Sequence, residues 1–194
     1  MANLITLADY KIAEGIQATK DDAKLELLVD SVSALVKTYC NNSFVDYYST
    51  NNVEVFDILY NENFVQLTES PVRTDETITV QERTSTTVAY STLTENTDYY
   101  VDTKTDSIVK VTGNFESGYG AVKVTYKAGY ASTAIPKDLQ LAVIDLITYY
   151  HKDEHKARQT IAGASIQNQG STSQRNNVAF PDHIKRVLDL YKNF

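Results

Sequence analysis

Two histidines one helical turn apart, His151 and His155, stand with Glu154 in the H-x-x-E-H spacing in which both histidines bind zinc and the glutamate acts as the base. Such a site needs a third protein ligand, and only Asp182 and Asp189 follow as acids. The motif also lies where an apolar segment turns charged, which is typical of a solvated helix end. A zinc-dependent hydrolase therefore stays open as a distant alternative that metal content would test.

The rest of the sequence holds no further catalytic pattern. It has no glycine-rich phosphate loop, no cysteine and histidine spacing for a structural metal, and no Gly-x-Ser-x-Gly elbow. The adjacent acids Asp21 and Asp22 do not share a helix face. The one cysteine, Cys40, excludes an intramolecular disulfide and is expected to be a buried thiol. The sequence thus predicts no catalytic residue, no metal site and no cofactor, and a protein that is not an enzyme.

Length, apolar content and charge set the class of molecule. With 194 residues and 42% hydrophobic content, the chain is long enough for a single domain over residues 1–194. No segment approaches the roughly 20 apolar residues that a membrane span needs, so no membrane partner is expected. The net charge of -7 argues against general affinity for duplex DNA. Residues 151–194 carry 7 basic and 4 acidic side chains, which would suit an acidic partner.

Apolar residues at steps of three and four predict four helices, near residues 6–15, 21–40, 136–159 and 181–193. Thr6 and Asp9 have the spacing of a capping box at the start of the first helix. The second helix carries the longest apolar stripe. We expect the four helices to form an antiparallel bundle. The stripe consists of Leu25, Leu28, Val29, Val32, Leu35, Val36 and Tyr39.

Between residues 50 and 130 the sequence changes to short runs rich in Val, Ile, Tyr and Thr, which predict strands. The predicted fold class is therefore α+β, with a β-rich insertion. Threonine-rich strands bury little apolar area, so a helix or a neighbouring subunit is expected to cover the sheet's other face and its edge. The predicted strands are 53–59, 77–81, 87–90, 99–101, 108–111 and 121–126.

Residues 163–177 contain one large aliphatic side chain, Ile166, among Gln, Asn, Ser, Thr and Gly. Such a segment cannot bury enough surface to offset its ordering entropy. We therefore expect a mobile loop. A segment of this length is either functional or disordered, and the two readings merge if it becomes ordered only on contact with a partner.

Four segments together resemble a known family. Ser70, Pro71 and Val72 lead into a strand, and Tyr99–Val101 form another. Val122–Ala131 then continues through an Ala-Gly-Tyr turn, and Ile135–Leu139 opens an apolar helix with a proline. The order of these segments resembles the head-tail connector (adaptor) family of long-tailed phages, and the likeness extends over about the whole chain. These residues are structural and not catalytic.

The resemblance implies a structural virion protein of the neck, assembled in the host cytoplasm. Such subunits form a twelve-membered ring under the portal protein, extend a channel through which the genomic DNA only passes, and offer a lower face to the tail or a stopper protein. Another neck component, such as a tail-terminator or stopper ring, is the nearest alternative. We further expect the loop and the basic last helix to contact the portal through Arg158, Ile166, Arg175, Phe180, Lys185, Arg186 and Lys192.

Overall fold

The computed structural model describes residues 2–152, 159–161, 164–166 and 180–193. Its fold class is α+β, as predicted. The chain divides into a helical unit, Met1–Cys40 with Ala134–Lys192, and a β unit, Asn41–Thr133 with Asn193–Phe194. No helix in the described ranges is long and apolar enough to cross a membrane. The expectation that residues 1–194 act as one connector domain stays a prediction.

The helical unit contains α1 (Leu7–Glu14), α2 (Asp22–Cys40), α3 (Lys137–His151) and α4 (Asp182–Asp189). Helix α2 contacts the other three, and α3 also contacts α4. The predicted stripe of α2 faces these contacts, because its residues recur every three to four positions. The buried side chains of the two long helices are Leu25, Val29, Val32, Val36 and Cys40 in α2, and Leu139, Ala142, Val143, Leu146 and Ile147 in α3.

Two predicted helices end earlier than expected. The helix predicted over 136–159 ends at His151, and the next residues, Lys152–Arg158, contain no large apolar side chain that a further turn could bury. Gln159–Ile161 instead forms a strand, β8, paired with β9 at Ala164–Ile166. These three residues of β9 lie inside the predicted loop 163–177; apart from them, the loop falls outside the described residues.

The helix predicted over 181–193 ends at Asp189. Leu190 and Tyr191 donate backbone hydrogen bonds to residues three positions earlier, which tightens the last turn and ends the helix. The Tyr191 hydroxyl then donates to both carboxylate oxygens of Asp138, at 2.6 and 2.7 Å. Lys192 and Asn193 follow outside any helical turn.

The β unit contains seven strands: β1 (Asn52–Ile58), β2 (Phe64–Gln66), β3 (Thr79–Glu82), β4 (Ser91–Thr92), β5 (Tyr99–Asp102), β6 (Ser107–Lys110) and β7 (Gly118–Tyr126). They form a four-stranded antiparallel sheet of order β1-β7-β3-β4 and a three-stranded sheet of order β2-β6-β5. One cluster of buried residues draws on both sheets, with Val80, Val122, Val124, Tyr99 and Ile108 at its centre. The β-rich insertion near 50–130 is thereby confirmed.

Two details of the strand prediction are wrong. Residues 87–90 do not form a strand, because the Ser85 hydroxyl accepts the Thr87 N–H and the Ser85 carbonyl accepts the Val88 N–H, which closes a turn. The strand that pairs with β3 is β4, which lies immediately after this turn. Strand β2 escaped prediction because it has three residues only, too few for an alternating pattern.

Candidate docking surfaces

The first candidate surface centres on α4, a helix with two clearly different faces. Ile184 and Leu188 are four residues apart and fully buried, which fixes the orientation of the helix. Lys185 is half-buried and Arg186 is exposed. The packing of α4 thus places its basic side chains away from the buried Ile184 and Leu188.

An aromatic pair joins this helix to the end of α2. The rings of Tyr39 and Phe180 have centroids 4.8 Å apart at an angle of 58°. The Lys192 ammonium group lies 5.0 Å from the centre of the same Tyr39 ring, in the geometry of a cation–π contact. Phe180 and Lys192, two of the predicted contact residues, therefore meet on one tyrosine. We call Tyr39, Phe180, Asp189 and Lys192 the Tyr39 cluster.

Hydrogen bonding also holds the cluster together. The Tyr39 hydroxyl donates to Oδ1 of Asp189 at 2.5 Å. Burial raises the pKa of Tyr39 to about 12, and the hydrogen bond and charge of Asp189 act in the same direction. The neutral phenol is the species that stabilises this arrangement.

Cys40 lies next to the cluster and is a structural thiol, as the sequence predicted. It is fully buried, and its Sγ donates to the Leu188 carbonyl at 3.6 Å. Burial raises the pKa of the thiol to about 12, and the charge of Asp189 adds to the rise. A thiol that stays protonated is a poor nucleophile and a poor metal ligand.

The other predicted contact residues are placed less completely. Ile166 belongs to β9. Arg158 and Arg175 lie outside the described residues. Sequence reasoning missed Tyr39 and Asp189 as members of the surface, because Tyr39 fitted the buried stripe of α2 equally well.

The second candidate surface is the outer face of the three-stranded sheet. The register places Phe64 opposite Val109, and Val109 opposite Tyr100, so these three side chains form one row across the sheet. Phe64 and Tyr100 are both about half exposed, and Val109 between them is partly covered. The neighbouring row, Val65, Ile108 and Val101, points inward to the core. This apolar row was not predicted, because it depends on the unpredicted strand β2.

The zinc-type motif is described only at its first residue. His151 is the last residue of α3, and its Nδ1 is buried with no hydrogen-bond partner among the described atoms. Glu154 and His155 lie outside the described residues. Within the described ranges, no three His, Cys, Asp or Glu side chains lie close enough together to hold a metal ion.

Comparison with known proteins gives consistent matches over almost the full length. A family model described as "Head completion protein" matches residues 3–194. The head completion protein of Escherichia phage T5 is 21% identical over 189 residues, which cover 97% of this chain and 98% of that protein.

Solved structures share the fold. One, titled "Neck of empty GTA particle computed with C6 symmetry", matches with a TM-score of 0.61 at 14% identity, over 98% of this chain and 90% of that chain. Another, titled "Neck of native GTA particle computed with C12 symmetry", matches with a TM-score of 0.57 at 15% identity, over 100% and 96% of the two chains. At these identities the likeness concerns the fold.

Proposed function

The chain belongs to the head completion protein family, and on that premise we propose that it is a structural, non-enzymatic subunit of the head-tail connector in the neck of a tailed-phage virion. The observation that carries this proposal is the family match over residues 3–194, nearly the whole chain. It bears out the resemblance noted in the sequence to the head-tail connector family.

We further propose that the subunits form a closed ring of twelve. Two structural neighbours come from particle necks whose titles name C6 and C12 symmetry, which supports a ring for a chain of the same fold. A ring requires two different surfaces on each subunit, one for each neighbour. The four helices, in which α2 contacts the other three, would act as one antiparallel bundle that carries such surfaces.

The portal protein is the proposed partner of the α4 surface. Lys185 and Arg186 on α4, with Phe180 and Lys192 of the Tyr39 cluster, combine positive charge with an aromatic side chain, and arginine and aromatic residues are enriched at protein interfaces. This composition would suit an acidic surface on the portal. The genomic DNA would only pass through the ring, and tail or stopper proteins would bind its other side.

Charge reversal tests the portal contact without removing the core residues of α4. A variant with Lys185→Glu, Arg186→Glu and Lys192→Glu keeps Ile184 and Leu188, whereas truncation near Gly163 would delete both. We expect its affinity for the portal protein, measured by biolayer interferometry, to fall at least about tenfold.

A matched control separates the contact from net charge. Lys20, Lys24 and Lys137 are exposed lysines of the same helical unit, and their reversal changes the net charge by the same amount. This control should alter portal affinity less than about twofold. Equal losses in both triple variants would contradict a specific role for the α4 surface.

The alternatives make different predictions. A tail-terminator or stopper ring would be predominantly β, whereas this fold contains four helices in its described part, which favours the connector. A zinc-dependent hydrolase would carry stoichiometric zinc after purification, and elemental analysis of the protein tests this.

A further inference from the structure

Strand β1 forms an open edge of the four-stranded sheet. It is seven residues long and pairs with β7 on one side, and no described strand pairs with its other side. Its outward side chains Val53 and Val55 are 56% and 54% exposed. Natural sheet edges of this length are usually blocked by lysine, proline or inward charges.

Strand β1 has one inward acid, Glu54, and a register shift between Phe56 and Ile58, a bulge of the kind that also protects sheet edges. The stretch Asn52–Phe56 keeps a regular register. The Glu54 carboxylate accepts the Tyr126 hydroxyl and the Thr68 backbone N–H within the β unit. The Asp57 carboxylate accepts the Gly120 N–H at 2.6 Å. Both carboxylates therefore already have partners inside the subunit, so a further strand that pairs along Asn52–Phe56 would leave neither of them without a hydrogen bond.

The chain also contains a small sheet with unfilled edges. Strands β8 and β9 pair with each other, from Gln159 opposite Ile166 to Ile161 opposite Ala164, and no other described strand joins them. A two-stranded hairpin is at best marginally stable in water and gains independent stability from a third strand. The β8–β9 hairpin is thus a strand donor that needs an acceptor.

The charges of donor and acceptor are complementary. The stretch from Lys156 to Arg175, which contains the hairpin, carries three basic and no acidic side chains. Strand β1 carries two acidic and no basic side chains. The β unit from Asn41 to Thr133 as a whole has 13 acidic and 6 basic residues. Opposite charge would favour the encounter of the hairpin with this edge.

We propose that the β8–β9 hairpin of one copy adds to the β1 edge of the next copy, so that a sheet continues across the subunit boundary. The proposal rests on the proposed ring function. The donor and the acceptor are different parts of the chain, and a contact of this kind repeats head to tail until a ring closes. Arg158, Ile166 and Arg175, predicted above as portal contacts, then belong to the contact between copies.

Covalent trapping in purified virions tests this contact. The variant carries Val55→Cys and Thr160→Cys in a Cys40→Ala background, and the particles are treated with a short bis-maleimide that bridges cysteines across neighbouring strands. We expect a ladder of covalent oligomers up to the size of the ring on denaturing gels. Particles assembled from an equal mixture of the two single-cysteine variants should give dimers only, since each subunit then carries one cysteine and can be bridged to one neighbour at most.

A control variant replaces Val55→Cys with a cysteine at another exposed apolar position, outside strand β1. Leu27→Cys on α2 is exposed to a similar degree as Val55, and paired with Thr160→Cys it should give no ladder. Dimers from Val55→Cys alone would show symmetric pairing of two β1 edges and would overturn the proposal. Linkage of Thr160→Cys to the portal protein would overturn it as well.

The outcome also separates this inference from the proposed function. Electron microscopy and mass spectrometry of the same virions report whether the chain is present as a ring in the neck. A ring without cross-links overturns the strand pairing and leaves the connector function intact. Absence of the chain from the neck overturns the connector function itself.

Discussion

Gly129 shows at the scale of one residue why the Ala-Gly-Tyr turn has its sequence. Its φ is +93°, and a Cβ built there would lie 2.2 Å from the Phe44 carbonyl oxygen and 2.7 Å from its carbon. The Gly129 N–H bonds to the Pro71 carbonyl at 2.8 Å, and the Tyr130 N–H bonds to the Phe44 carbonyl at 2.6 Å. The backbone can approach Phe44 this closely only because the residue has no side chain.

Gly129→Ala is therefore expected to destabilise the protein by about 3 kcal/mol, because the clash is with backbone and adds to the strained φ. Gly113→Ala is the matched control: its φ is +71°, but no atom lies within 4 Å of its Cβ position. That change should cost only about 1 kcal/mol. Urea unfolding of both variants measures the difference, and equal losses would contradict the close approach to Phe44.

The ionisation of Tyr39 makes the free energy of unfolding depend on pH in the alkaline range. Its pKa is raised from the ordinary value of 10.0 to about 12 in the folded protein, mainly by burial and also by the hydrogen bond to Asp189. The folded state thus keeps a proton that the unfolded chain loses above pH 10, so the contribution of Tyr39 to stability is complete below pH 10 and declines from there toward pH 12. Cys40 acts in the same direction, since its pKa is raised from 9.0 to about 12.

Tyr39→Phe should lower the free energy of unfolding at pH 8 by about 1 kcal/mol, because the hydrogen bond to Asp189 is lost. The difference between the parent protein and the variant should shrink between pH 10 and 12, since phenylalanine does not titrate. Denaturant unfolding at pH 8 and pH 11 measures it. A difference that stays constant over this range would contradict the raised pKa.

At the scale of single elements, local chemistry decides where α1 begins. The Asp9 N–H donates to the Thr6 hydroxyl oxygen at 3.1 Å, and the Thr6 N–H donates to the Asp9 carboxylate at 3.3 Å. This reciprocal pair is the capping box that the sequence predicted, and Gly15 ends the helix in a left-handed conformation.

Thr6→Ala should destabilise the protein by about 1 kcal/mol, because the capping hydrogen bond is lost. Thr38→Ala provides the control, since the Thr38 hydroxyl donates to the Ala34 carbonyl on the exposed side of α2 and caps no helix end. Its effect should stay within about 0.5 kcal/mol. Thermal unfolding followed by circular dichroism compares the two, and a similar loss in both would argue against a capping role.

The elements that the sequence predicted well share a physical property: their signal is local and repeated. The stripe of α2 runs from Leu25 to Tyr39 in a helix of nineteen residues, and its period alone orients the helix. The segment 87–90 has β-favouring residues, but hydrogen bonds from Ser85 decide its conformation, and composition does not show them. Strands β8 and β9 have three residues each, which is too few to give an alternating pattern.

The candidate surfaces follow the same division. Lys185 and Arg186 could be assigned to a charged surface, because the apolar residues Ile184 and Leu188 fix the helix face on their own. The contact of Phe180 and Lys192 with Tyr39 could not be predicted from the sequence, since it joins residues about 140 to 150 positions apart in the chain. The row Phe64, Val109 and Tyr100 depends on strand register, which a three-residue strand specifies only weakly.

At the scale of the whole molecule, the charge is divided unevenly between the two units. Asn41–Thr133 holds 13 acidic and 6 basic side chains, which accounts for the full net charge of -7, and the remaining residues balance. Several acids of the β unit are exposed, including Glu95 and Glu116. Such a surface would suit the proposed ring, through which the genomic DNA would pass, because like charge opposes adsorption of the duplex.

The free protein is accordingly expected not to bind duplex DNA at 150 mM salt, with any Kd weaker than about 100 µM by fluorescence anisotropy. Glu95→Lys with Glu116→Lys should introduce measurable binding at 50 mM salt that disappears as the salt concentration rises, because each new phosphate contact releases counterions. The control is Glu26→Lys with Asp21→Lys, which changes the net charge by the same amount but in the helical unit. Equal binding by both double variants would show that total charge alone controls adsorption, whereas tight binding by the parent protein would contradict a passive role toward DNA.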